Sequence, residues 1–346
     1  MLNIAFMANK AKVNQLLFRP HFKTHQSYII GEWFKIHGVR SITVSSVSMA
    51  QHFAGYGWKD ITIAFPVNIP EIDKINTLAG KIKLNLIADN IFSLKELQNK
   101  LTFEVGIFLK IDTGYHRSGI DWDDDMLIIK NINFLSKTSF LRFRGFLTHS
   151  GHAYNAKSID DIKAIHKDTL CKMGILINKY SEKNPSLLIS IGDTPCCSIC
   201  NDFTGIDELR PGNFVFYDVM QYYLGSCTTS QIAVSVACPI VSISKSRKEF
   251  VIYGGAIHLS KEFITDRNKS KIFGLVVEYN EHGWSEPIVE TYVSAISQEH
   301  GIIKTNANFI KTLKPGSIVG ILPIHSCLAA HQLQTYHTIG GDEITL

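Results

Sequence analysis

The chain lacks a block of like charges. Its 35 basic and 31 acidic residues leave a formal net charge of +4 over 346 positions. That mild balance, with no Lys/Arg cluster, speaks against nucleic acid or an acidic membrane surface as a partner. Long hydrophobic runs are also missing. The longest, Ile232 to Ile243, is interrupted by Ser235, Pro239 and Ser242 and falls well short of the ~20 residues of a membrane-spanning helix. The opening Met1-Leu-Asn-Ile-Ala-Phe has no charged stretch before its apolar residues, so no signal peptide is expected. Seven cysteines make an odd number without secretory features, and they read as reduced thiols of a cytoplasmic protein. No internal repeat, low-complexity tract or linker is visible.

What is present is a recurrent alternation. Short β-branched runs occur at Leu17–Phe22, Ser41–Ser45, Ile61–Phe65, Lys83–Ala88, Val105–Ile111, Phe143–Thr148 and Leu187–Ile191, with an eighth at either Ile206–Leu209 or Phe214–Phe216. Stretches of helical spacing, such as Ile91–Leu101 and Ile159–Lys179, lie between most of them. Eight strand–helix units predict a TIM-type (β/α)8 barrel. An open doubly wound sheet would give a similar pattern, but no Gly-rich nucleotide fingerprint follows the first strand. After about residue 225 long helical patterns cease. Strand-like runs at Ile232–Ser244, Phe250–Tyr253, Lys271–Val277, Ile288–Val293 and Ser317–Leu322 predict a smaller, mostly antiparallel β-domain. The expected division is a barrel over residues 15–228 and a β-domain over 229–346, with residues 1–14 free to join the second.

Polar and glycine-rich clusters follow the predicted strands, where barrel enzymes place their chemistry. In Arg19-Pro-His-Phe-Lys23-Thr-His25 one lysine sits among apolar and imidazole neighbours. A lysine so placed can lose its proton and act as a nucleophile, as needed to hold pyridoxal phosphate (PLP) as a Schiff base. Asp112-Thr-Gly-Tyr-His-Arg117-Ser-Gly119 follows strand five, Thr148-His149-Ser-Gly-His152-Ala-Tyr154 strand six, Gly192-Asp-Thr194-Pro195 strand seven, and Arg210-Pro-Gly212-Asn213 the eighth. Gly192, Thr194, Gly212 and Asn213 can offer amides and a hydroxyl to a phosphate. Arg117 and Arg210 can each face a cofactor atom, a carboxylate, or only a structural ion pair. In the β-domain, His325-Ser-Cys327 would project imidazole and thiol from one face of a strand, half of a zinc site. Cys196-Cys197-Ser-Ile-Cys200 lacks a second matching pair and reads as buried thiols. Asp121-Trp-Asp-Asp-Asp125 reads as a solvated helix start.

These segments resemble the D-serine dehydratase and D-threonine aldolase group of alanine-racemase-like, fold-type III PLP enzymes. The first cluster is similar to that group's R-P-H-x-K-T-H, the second to D-x-G-x-x-R-x-G, and Gly192–Pro195 to the phosphate-binding G-S-T-P. Glu208-Leu-Arg-Pro-Gly-Asn-Phe-Val-Phe-Tyr217-Asp resembles E-x-R-P-G-x-Y, Gln298-Glu-His-Gly301 resembles E-E-H-G, and His325-Ser-Cys327 the metal-binding H-x-C of the dehydratases. The resemblance implies a homodimer acting on a small D-amino acid, with PLP on Lys23. It implies phosphate contacts from Gly192, Thr194, Gly212, Asn213 and Tyr217, and counts His149 among the residues around the cofactor. Arg210 would face the pyridine nitrogen and Arg117 the phenolic oxygen, Tyr154 would be the active-site tyrosine, and His325 with Cys327 would bind zinc.

The chain departs from the pattern at three places. Asp193 replaces a small serine and puts an anion beside the expected phosphate. His258, in Gly254-Gly-Ala-Ile-His258, replaces a lysine, and Gln298 replaces a glutamate. The expected activity is a PLP-dependent lyase for a β-hydroxy D-amino acid, like D-serine dehydratase, which yields a keto acid and ammonia. A D-threonine or 3-hydroxy-D-aspartate aldolase would use the same parts. A non-catalytic PLP carrier would lack the C-terminal domain. A racemase would need a second acid/base among Tyr253, Tyr279 and Tyr292, and a metal-dependent hydrolase would give the lysine segment no purpose.

Overall fold

The computed structural model describes residues 1–266 and 269–345. The chain forms two compact units, Met1–Lys23 with Tyr28–Phe214, and Thr24–Ser27 with Val215–Leu346.

The first unit is a parallel barrel. Its strands are β1 (Leu17–Phe18), β2 (Ser41–Val44), β3 (Asp60–Pro66), β4 (Lys83–Ala88), β5 (Val105–Asp112), β6 (Leu141–Leu147), β7 (Leu188–Ile191) and β8 (Glu208–Leu209). They pair in sequence order from β2 to β8, and β8 pairs with β1. A single parallel bridge, His21 to Thr43, closes the ring beyond the end of β1. There Phe22 N–H donates to Thr43 O at 2.8 Å and Thr43 N–H to Pro20 O at 2.9 Å. The first strand is thus shorter than the run Leu17–Phe22 predicts, and Lys23 lies in the turn that follows the bridge. The eighth strand is the earlier of the two candidates; Asn213–Val215 is a 3-10 turn.

The strands read as near-continuous buried runs, as parallel strands covered on both faces must. Leu84, Leu86, Ile87 and Ala88 of β4 are all buried. The helices are α1 (Leu2–Val13), α2 (Tyr28–Ile36), α3 (Val47–Gly55), α4 (Ile72–Ala79), α5 (Ile91–Lys100), α6 (Asp125–Leu135), α7 (Ile159–Tyr180) and α8 (Thr194–Ile199). Five start on a side-chain cap: Ser46 accepts from Met49 N, Asn90 from Ser93 N, Asp124 from Leu127 N, Ser158 from Asp161 N and Asp193 from Cys196 N. The first dozen residues do not join the β-domain. They form α1, whose Ile4, Met7 and Ala11 are buried, and Lys10 Nζ donates to the carbonyls of Cys197, Ser198 and Cys200 at 2.8–2.9 Å.

The barrel interior also holds charge. Arg19 Nε donates to Glu208 at 2.5 Å and Nη1 to Asp60 at 2.6 Å. Glu208, wholly buried, also accepts from Ser190 Oγ at 2.6 Å. Asn85 Nδ2 reaches Thr62 Oγ1 at 3.3 Å. Glycine at 106 leaves room beside it, because a Cβ there would stand 2.1 Å from Asn85 Oδ1 and force that side chain to shift.

The second unit contains a closed antiparallel barrel of β9 (Val236–Ser244), β10 (Glu249–Tyr253), β11 (Gly274–Val277), β12 (Tyr292–Ile296), β13 (His300–Lys304) and β14 (Ile318–Pro323), in the order 9-10-13-12-11-14. Cys238, Ile240, Phe250, Ile252, Val276, Val293, Ile303 and Ile321 fill it. β13 alternates exposed and buried residues, the signature of a one-sided strand. The predicted strand Ile288–Val293 lies later, because Glu290 takes a left-handed φ of 55° and breaks the run.

Candidate active site

The barrel gathers most of the expected residues around the ends of β6, β7 and β8. Arg210, 4% exposed, runs along the interior. Its Nε donates to Ser190 Oγ at 2.5 Å, and its Nη2 to Thr148 O at 2.6 Å and Ser190 O at 3.2 Å. Burial pulls its pKa down to about 10. Gly192 packs on the Arg210 backbone, where a Cβ would come within 2.7 Å of the carbonyl carbon. His149 Nδ1 lies 2.5 Å from Gly192 O. A carbonyl only accepts, so Nδ1 carries the proton. Burial drives this imidazole to a pKa of about 3, with smaller contributions from the charges of Lys23, Arg117 and Lys110. It is neutral at ordinary pH.

Thr194 N–H donates to Tyr154 O–H at 3.3 Å. Among the described residues the buried Thr194 hydroxyl has no hydrogen-bond partner. A buried hydroxyl without a partner is costly unless something polar completes it. An anion cradled by the Gly192–Thr194 backbone would do so, and a phosphate therefore fits these residues. Gly212 and Asn213 are buried on the same β8 segment. Asp193, which looked awkward beside an anion, instead caps α8 with its side chain on Cys196 N at 2.8 Å, and burial raises its carboxyl. Serine and aspartate are both good caps, which accounts for the exchange. Asp193→Ala is expected to cost about 1 kcal/mol of stability while Asp193→Ser keeps it, read by denaturant unfolding.

Lys23 is exposed, in the turn after the barrel-closing bridge, and its charge is felt at His149. Arg117 is exposed as well and sits over the Tyr115 ring at 4.9 Å. A second lysine at this end escaped sequence reasoning. Lys110, on β5, is 5% exposed and donates to Ile111 O at 3.1 Å. Burial, with Arg210 and Arg117 nearby, brings its pKa to about 8. Its place in an inward-facing strand run was the available signal. Among the described residues the one three-ligand grouping within metal-binding range is Asp112, His116 and Asp121. Asp112 is committed to the amides of Gly114 and Tyr115 at 2.8 and 2.9 Å.

Tyr217, His325 and Cys327 belong to the second unit. Tyr217 is buried with a left-handed φ of 50°. His325 and Cys327 do not share a strand face. His325 is the N-cap of a helix, Ser326–Leu333, and Cys327 lies in its first turn. They still come together: burial disfavours protonation of His325, but Asp218 and Cys327 outweigh it and lift the imidazole to about 10 in the absence of any metal. Asp218, wholly buried, lies 3.4 Å from His325 Nδ1. Thr24 Oγ1, also buried, lies 3.2 Å from Cys327 Sγ. An imidazole and a thiol oriented in this way suit a borderline-soft divalent ion such as zinc. Gln298 and Glu299 form the β12–β13 turn, with His300 and Gly301 opening β13, and the Gln298 and Glu299 carbonyls accept from Ile257 and Gly254 N–H. The work of this turn is to hold the hairpin against Gly254–Ile257. His258 Nδ1 accepts from Gly255 N at 3.2 Å within that same segment.

A parallel barrel with Lys23 in the turn after its first strand, followed by a closed antiparallel β-domain, defines the alanine-racemase-like class. Residues 3–219 match the family model "Alanine racemase, N-terminal domain" and residues 233–339 match "Putative serine dehydratase domain". The chain is 33% identical to the D-serine dehydratase of Dictyostelium discoideum, across 94% of this chain and 86% of that protein. The solved D-threo-3-hydroxyaspartate dehydratase of Delftia sp. HT23 superposes with a TM-score of 0.90 at 25% identity, over 99% of this chain and 93% of that one. A cysteine-to-alanine variant of that dehydratase is solved in a metal-free form. D-threonine aldolase from Filomicrobium marinum shares the fold, with a TM-score of 0.85 at 18% identity over 99% of this chain and 90% of that one. The chain belongs to the D-serine dehydratase family of alanine-racemase-like enzymes, and it is a PLP-dependent lyase of the dehydratase and aldolase type.

Proposed function

We propose that the protein is a D-serine dehydratase that uses PLP and a zinc ion. The partnerless Thr194 hydroxyl in the Gly192–Thr194 cradle is the observation that carries the cofactor assignment. Similarity to the Dictyostelium enzyme and the His325–Cys327 pair favour the substrate and the metal. Lys23 would hold the cofactor aldehyde and move the Cα proton of the substrate. Gly192, Thr194, Gly212 and Asn213 would hold the phosphate, with His149 and Tyr154 beside it; family likeness adds Tyr217 to that set. Arg210 has Nε and Nη2 fixed by Ser190 and Thr148; by family likeness it would face the pyridine nitrogen, and Arg117 the phenolic oxygen. His325 and Cys327 hold the metal. When bound, PLP supplies an electron sink at Cα and zinc a Lewis acid for the β-hydroxyl.

In the net reaction a Cα proton and the β-hydroxyl leave as water. The released enamine then tautomerises and is hydrolysed to pyruvate and ammonia. If a base removed the hydroxyl proton instead, Cα–Cβ cleavage would release an aldehyde. Purified holoprotein with D-serine, D-threonine and 3-hydroxy-D-aspartate, assayed separately for ammonia and aldehyde, is expected to give ammonia with D-serine as preferred substrate. Aldehyde release would replace this reading with an aldolase, and ammonia from 3-hydroxy-D-aspartate without turnover of D-serine would overturn the substrate assignment. Among the described residues no helix is long and apolar enough to cross a membrane. Family likeness supports a homodimer, and cysteines that form no disulfide among the described residues support a cytoplasmic setting.

A further inference from the structure

We propose that Asp218 and Thr24 are positioning residues for the metal, each fixing one ligand: Asp218 the His325 imidazole, Thr24 the Cys327 sulfur. The inference rests on the reading of His325 and Cys327 as metal ligands and goes beyond it.

The Asp218 carboxylate is itself held before it meets the imidazole. Its Oδ1 accepts from Gln221 N at 2.9 Å. Its Oδ2 accepts from Ser326 N at 3.0 Å and Ser326 Oγ at 3.3 Å. The same oxygen stands 3.4 Å from His325 Nδ1. A carboxylate only accepts, so the proton of a neutral His325 sits on Nδ1 and the lone pair on Nε2. The coordinating nitrogen and the ring plane are therefore chosen by Asp218, as carboxylates behind metal-bound histidines do generally. Cys327 has the complementary support. When its sulfur is a thiolate it can only accept, so the Thr24 hydroxyl at 3.2 Å becomes the donor. A hydrogen bond of that kind lowers the electron density on a metal-bound sulfur.

Thr24 is not a loose reporter. The four-residue segment it begins is fastened to the same helix and its sequel. Gln26 Nε2 lies 3.0 Å from His331 Nδ1, and Tyr336 O–H donates to His25 O at 2.9 Å. The residue covalently next to Lys23 is therefore part of the metal ligand's immediate surroundings. Neither Thr24 nor Asp218 needs to touch substrate for this role.

The test uses full-length holoprotein loaded with zinc, and with cobalt(II) as a coloured stand-in. Zinc affinity is measured by competition with a chelator, and unfolding of the metal-free form is measured alongside. Asp218→Asn and Thr24→Val are each expected to weaken zinc binding by roughly 10–100-fold. Thr24→Val is expected to shift the sulfur-to-cobalt charge-transfer band, and Thr24→Ser to restore it. A merely structural role would change unfolding but not that band. If His325→Ala and Cys327→Ala keep full zinc content, the ligand assignment itself is wrong. If those two lose zinc while Asp218→Asn and Thr24→Val bind it as tightly as the unaltered protein, with an unshifted band, the positioning role is overturned.

Discussion

Lys23→Ala is expected to slow ammonia release from D-serine by roughly 10^2–10^4-fold, the range for loss of a positioned proton-transfer group. Stability should hardly change. Lys23 is exposed in a turn and buries no apolar surface, and substitutions of that kind usually fall within about 0.5 kcal/mol. Borohydride reduction of the unaltered holoprotein, then peptide mapping, should place the cofactor on the peptide containing Lys23. The variant should carry none there. A label on Lys110, or activity within about tenfold of the unaltered protein, would remove Lys23 from the reaction. Lys110 is the fair competitor, since its pKa of about 8 suits a nucleophile better than an ordinary lysine does. Its amine, however, is buried and already donates to Ile111 O.

The second large effect is on folding. Glu208→Ala should destabilise the protein by about 3–5 kcal/mol, as happens when a buried ion pair loses one member. Arg19 would remain 2% exposed with Asp60 as its one carboxylate, and Ser190 Oγ would lose its acceptor. Denaturant unfolding measures the loss; a change below about 1 kcal/mol would show that the barrel interior admits water at Arg19. The same network has a pH signature. Burial opposes ionisation of Asp60, but Arg19 and Lys83 outweigh it and hold the carboxyl below its usual range. A carboxyl depressed in the folded state adds stability above its unfolded value of about 4, lost as pH falls through the folded value. Stability should therefore fall in acid, and Arg19→Met should flatten that dependence.

Much of this was legible because parallel strands announce themselves. Runs such as Lys83–Ala88 are rich in apolar residues, and helical spacing marked Ile91–Leu101 and Ile159–Lys179 between them. Four features were hidden for physical reasons. Leu2–Val13 is apolar around most of its circumference, with Leu2 and Val13 exposed and Ile4 and Met7 buried, so periodicity carried no signal. His300–Lys304 alternates over only five residues, too few to stand out beside a glycine. His325-x-Cys327 suggested a strand because the spacing of two fits one, yet Asp218 bonding Ser326 N starts a helix there. Arg19 looked like part of a cofactor motif, but its guanidinium is consumed by Asp60 and Glu208, 41 and 189 positions away. No local pattern encodes partners at such separations.

That separation has a consequence for biogenesis. Thr24–Ser27 groups with residues that follow position 214, and the Tyr336 bond to His25 spans 311 positions. A ribosome adding about 5–20 residues per second needs roughly 15–60 s to deliver that partner. For this interval the nascent chain carries Lys23 beside a His25 carbonyl that still awaits the Tyr336 hydroxyl. Truncation near the C-terminus should accordingly reproduce the half-made molecule: a barrel that has formed, yet whose Lys23 adjoins a segment of slack.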